Sequence, residues 1–98
     1  MTHLDRLDQW LSSRGAELKQ AGSLTYTRGP RDLPNPSAHL VVALTDYDVE
    51  LVLWESGEAE FNYGTLDDPV LEHVEVESPA ELDALLERVL AVVVGGTS

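Results

Sequence analysis

Val49-Glu50-Leu51-Val52-Leu53-Trp54-Glu55-Ser56-Gly57-Glu58-Ala59-Glu60-Phe61-Asn62-Tyr63 reads as a β-hairpin, and the fold of the whole chain follows from how its two arms pair. Two runs rich in β-branched and aromatic residues flank Ser56-Gly57. A two-residue loop ending in Gly is a strong reversal signal, because such turns need positive φ and Gly reaches it without a Cβ clash. With Ser56-Gly57 as the loop, Glu55 faces Glu58, Trp54 faces Ala59, Leu53 faces Glu60, Val52 faces Phe61 and Leu51 faces Asn62. Side chains alternate across a strand, so one face carries Trp54, Val52, Ala59, Phe61 and Tyr63. The opposite face carries Leu51, Leu53, Glu55, Glu58, Glu60 and Asn62. The first is the expected core. The second mixes carboxylates with exposed leucines, and apolar residues ringed by charge are the usual anatomy of a protein interface. A helix crossing to that face, or a second copy of the chain, would cover the leucines instead.

Upstream of the hairpin, Thr2 caps a helix expected from about residue 3 to 20, with Asp5 placed for a capping box. Leu4, Leu7, Leu11 and Leu18 recur at helical spacing beside Trp10. Gly15 weakens the middle of this helix by ~1 kcal/mol relative to Ala and marks a bend or an early stop. Ser23 to Arg28 alternates as a short edge strand. Gly29 to Ser37 holds Pro30, Pro34 and Pro36 and reads as a loop. Ala38 to Thr45, apolar apart from His39, reads as a strand covered on both sides. Asp46 turns the chain into the first hairpin arm.

Downstream, Gly64 to Pro69 is a turn and Val70 to Val76 a more polar, peripheral strand. Ser78-Pro79-Ala80-Glu81 opens the last helix: Ser78 as N-cap, Pro79 at N1, Glu81 returning a bond to the cap. Leu82, Leu85, Leu86, Val89, Leu90 and Val93 form its apolar stripe. Gly95-Gly96 ends it. The expected fold is a single α+β domain over residues 1–98, a two-layer sandwich in which a helix, a five-stranded antiparallel meander and a second helix follow in order. Residues 1–2 and 95–98 are expected to be loose.

The formal charge is −12, and its placement is uneven: fifteen acids and no Lys or Arg lie between Asp32 and Glu87. Such a field repels nucleic acid and anionic lipid and attracts basic partners, or serves solubility alone. The same negative sheet could occupy a nuclease's basic groove as a nucleic-acid mimic. With no cysteine, disulfides and thiolate metal sites are excluded. The N-terminus shows no signal peptide pattern, and Val89 to Val94 is too short to span a bilayer, which fits a cytoplasmic protein. His3, His39 and His73 show no metal-ligand spacing, so no metal is expected. Acid pairs such as Glu58 and Glu60 lack an apolar cleft to raise a pKa, and Ser56-Gly57 is no nucleophile elbow, since no helix follows. The expectation is no catalytic residue and no cofactor.

Several stretches together resemble the TriTu family of bacterial immunity proteins: Trp10-Leu11 in an opening helix, Pro34-Asn35-Pro36-Ser37 before a strand, Val52-Leu53-Trp54-Glu55-Ser56-Gly57-Glu58 at the hairpin, Glu72-His73, and Ser78-Pro79-Ala80-Glu81-Leu82. The chain departs from the family in a short Gly64–Pro69 loop and in the acidity of Tyr47 to Leu51. The resemblance implies stoichiometric neutralisation of a cognate toxin domain and carries no catalytic residue. On this expectation Leu51, Leu53, Glu55, Glu58, Glu60 and Asn62 contact a basic protein partner. The alternative is a secretion-chaperone-like or adaptor domain that holds an effector segment as a dimer.

Overall fold

The chain orders as α1 (His3–Ala21), β1 (Ser23–Arg28), β2 (Ser37–Ala43), β3 (Asp48–Trp54), β4 (Glu58–Gly64), β5 (Pro69–Glu75) and α2 (Pro79–Gly95) in a computed structural model that describes residues 2–30, 32–65 and 67–95. Met1, Arg31, Leu66 and residues 96–98 lie outside it. With them lie the looseness expected of Met1 and 96–98 and the part given to Gly96 in ending α2. The strands form one sheet in the order β1-β2-β3-β4-β5, each antiparallel to the next. Short connections leave a meander as the simplest route, and the architecture is the α+β sandwich read from the sequence.

Both helices start on side-chain caps. The Thr2 hydroxyl accepts the Asp5 backbone N–H at 3.0 Å. Ser78 Oγ accepts the Glu81 N–H at 3.2 Å, while the Glu81 carboxylate reaches past the cap to the Glu77 N–H at 2.9 Å. Each satisfies donors that the helix itself leaves unpaired. α1 runs unbroken through Gly15 to Ala21. Above Gly15 a Cβ would meet nothing, so the glycine weakens the helix without interrupting it.

The core is the space between the helix pair and one sheet face. From the helices it takes Leu4, Leu7, Leu18, Leu82, Leu85, Leu86, Val89, Leu90 and Val93, as the helical spacing predicts. From the sheet it takes Ala38, Leu40 and Val42 of β2, Val49, Leu51 and Leu53 of β3, and Ala59 and Phe61 of β4. In register Leu40 lies opposite Leu51 and Leu51 opposite Phe61, so these make one continuous apolar row. The helices are joined by ion pairs, Arg6 to Asp83 at 2.7 Å and Arg14 to Glu87 at 3.4 Å.

The hairpin corrects the predicted pairing by one residue. Leu53 faces Ala59, Val52 faces Glu60, Leu51 faces Phe61 and Glu50 faces Asn62. The loop is Glu55-Ser56-Gly57, three residues and not two. The Gly57 N–H closes a turn on the Trp54 carbonyl at 2.9 Å, and Gly57 has φ of 102°. This is the three-residue reversal that ends on a residue of positive φ, and an odd loop moves every side chain of one arm to the other face. A Cβ on Gly57 would also collide with the Val76 carbonyl oxygen, since β5 closes against the turn through Val76 N–H to Gly57 O at 2.7 Å.

Two expectations fall with that shift. Trp54 and Val52 leave the core, and Leu51 and Leu53, at 1% and 0% exposure, enter it. β2 is covered on one side only: His39 and Ala43 are exposed and Val41 half-buried, on the side away from Leu40 and Val42.

Candidate interaction face

β-Strand parity sends Asp48, Glu50, Val52 and Trp54 of β3 to the face that neither helix covers. Register then fixes their neighbours. One row across the sheet reads Thr27, His39, Val52, Glu60, His73, and the next reads Thr25, Val41, Glu50, Asn62, Leu71. Among the described residues no side chain on this open face is fully buried. Leu71 is 74% exposed, while Val41, Val52 and Trp54 are half-buried. Four apolar residues therefore sit among the carboxylates of Asp48, Glu50, Glu58, Glu60 and Glu75.

Hydrogen bonds tie the carboxylates of this face to neutral or titratable partners. Asn62 Nδ2 donates to Glu50 at 3.3 Å, and His39 Nε2 lies 3.2 Å from the other Glu50 oxygen. His73 Nδ1 lies 2.9 Å from Glu60, with its Nε2 3.9 Å from Glu75. The bond to Glu60, with Glu75 and Glu58 nearby, raises the His73 pKa above the ordinary imidazole value. The described arginines all sit elsewhere and all are paired: Arg6 with Asp83, Arg14 with Glu17 and Glu87, Arg28 with Asp5 and Asp8, Arg88 with Glu72. Strands β2 to β5 carry no Lys or Arg among the described residues, and Arg28 of β1 turns to the helix side, opposite Ala38.

Of the six residues predicted to contact a partner, three stand on this face: Glu58, Glu60 and Asn62. Leu51 and Leu53 do not, because the odd loop seals them beneath the helices. Glu55 has a different task. Its carboxylate accepts the His3 backbone N–H at 2.8 Å, which places an acid on the first turn of α1, where the helix dipole favours it. The hairpin tip is also tied down: Asn35 accepts the Ser56 N–H at 3.0 Å and donates to its hydroxyl at 3.2 Å, and Pro36 O accepts the Glu55 N–H at 2.9 Å. Asn35, in the proline-rich loop, thus braces the turn.

Sequence reading missed Val41, Glu50, Val52, Trp54 and Leu71. A signal for them was present. Asp48 and Glu50 share parity with Trp54, whereas Val49, Leu51 and Leu53 are a purely aliphatic set. Among the described residues no group of three His, Asp or Glu side chains is arranged to hold a metal ion. No helix of the described residues is long and apolar enough to cross a membrane. Comparison of the chain with protein-family models, with curated proteins and with solved structures finds no significant match in any of the three.

Proposed function

We propose that this chain is a non-enzymatic binding protein that docks its open sheet face on a basic protein, and that the partner is a bacterial toxin domain whose cationic active-site cleft it occludes in the cytoplasm. The observation that carries the docking reading is the face itself. Trp54, Val52, Val41 and Leu71 lie exposed or half-exposed among five carboxylates with no Lys or Arg of the same strands beside them. Apolar groups supply desolvated contact, with Trp54 as anchor, and the carboxylates steer a basic partner and reject acidic ones. The same charges oppose a dimer made through this face, since each copy would bring its acids against the other's. The resemblance to TriTu immunity proteins supports the toxin as partner, because occlusion needs a shaped, charged surface and no catalytic group.

The test is co-expression with a candidate toxin domain encoded beside this chain. Growth is expected with the wild-type protein and lost with Trp54→Arg or Glu60→Arg. Cell death despite the wild-type protein overturns the toxin reading. Full protection by both variants overturns the open face as the contact.

A further inference from the structure

Both histidines of the open face stand in one row, on either side of Val52, each against a carboxylate. His39 of β2 pairs with Glu50 of β3 at 3.2 Å, and His73 of β5 pairs with Glu60 of β4 at 2.9 Å. Resting on the docking reading above, we propose that the two form a proton-operated release for the basic partner. Once charged, each imidazolium holds its neighbouring carboxylate in an internal ion pair and withdraws it from the partner's Lys and Arg groups.

The surroundings leave little else to oppose this. His39 faces Glu50 from β3, while β1 offers it only Thr25 and Thr27. His73 faces Glu58 and Glu60 from β4 and Glu75 of its own strand. Neither helix packs on this face, and the described arginines are held in pairs on the helix layer. Glu60 already favours the charged form of His73. The five carboxylates of the face carry −5, and two imidazolium charges bring this to −3. Between about pH 7.5 and 5.5 imidazoles change charge while surface carboxylates stay ionised, so this window isolates the histidines.

The experiment is calorimetric titration of the full chain with a short oligoarginine peptide at about pH 7.5 and 5.5 and fixed ionic strength. The wild-type protein is expected to lose about 3- to 10-fold in affinity at the lower pH, two surface ion pairs being the competitors. The His39→Asn/His73→Asn double variant is expected to bind equally at both. Both side chains are about half exposed, at 48% and 51%, so the fold should tolerate the change. In Glu60→Gln, NMR of the imidazole should show His73 titrating at lower pH than in the wild type. Wild-type binding that ignores pH overturns the release and leaves the docking face standing. So does a pH dependence that survives in the double variant, or a His73 titration unmoved by Glu60→Gln. No binding at the higher pH removes the release and the acidic docking face together.

Discussion

Val49, Leu51 and Leu53 point to the helix side of β3 and are each at most 1% exposed, whereas Asp48, Glu50, Val52 and Trp54, interleaved with them, all keep contact with solvent. Seven residues thus serve two environments. On the covered face, burial sets the worth of a side chain, and a methylene removed leaves a void. On the open face the same chemistry contributes little to folding and stays accessible from solvent. Charge follows the same division. Arginines and their acids meet on the helix layer, while among the described residues the carboxylates of the open face find only Asn62 and two histidines.

The sharpest break of that contrast is a pair of neighbours. Leu51→Ala is expected to destabilise by about 2–5 kcal/mol and Val52→Ala by less than about 1 kcal/mol, by urea unfolding. Equal losses would mean that the open face is covered. Next comes Gly57→Ala, which forces a side chain into positive φ and against the Val76 carbonyl. A loss of about 2 kcal/mol is expected, and a neutral result would mean that the loop can be rebuilt in another register. Glu55→Ala should cost about 0.5–1 kcal/mol by removing an acid and an acceptor from the first turn of α1, with partner binding unchanged. If binding falls while stability holds, Glu55 belongs to the interface after all. Acrylamide quenching in Trp10→Phe, where only Trp54 emits, should exceed that in Trp54→Phe, where only the core-packed Trp10 remains.

The smallest effect is on pH. His73 has a raised folded pKa, so its stabilisation is fully present below the ordinary imidazole value and is lost as pH rises through the raised one. A slight fall in stability between about pH 6 and 8 is expected in the wild type, flattened in His73→Asn.

Helix spans, strand order and the α2 stripe could all be read from the chain because each rests on local periodicity and on caps that act within three residues. The face of β3 could not, because it hangs on loop length. Ser56-Gly57 fits a two-residue turn, and Glu55-Ser56-Gly57 fits a three-residue turn ending in Gly equally well. The shorter loop follows from the Gly-ended dipeptide alone, and its pairing places Trp54 inside beside Phe61. Strand composition was the better guide: a face that holds Asp48 and Glu50 cannot be the buried one without partners for both charges. The correction also explains why half of the proposed contact residues still face outward. Only β3 was inverted, so Glu58, Glu60 and Asn62 of β4 kept their outward direction.

The pairing of the described arginines along the helices has an effect before any contact is made. It offsets most of the charge on one flank while the opposite flank stays strongly negative, so the molecule has a dipole moment directed through the sheet. A cationic body drifting past would exert a torque on it and turn the strands toward itself, so that encounters begin already aimed.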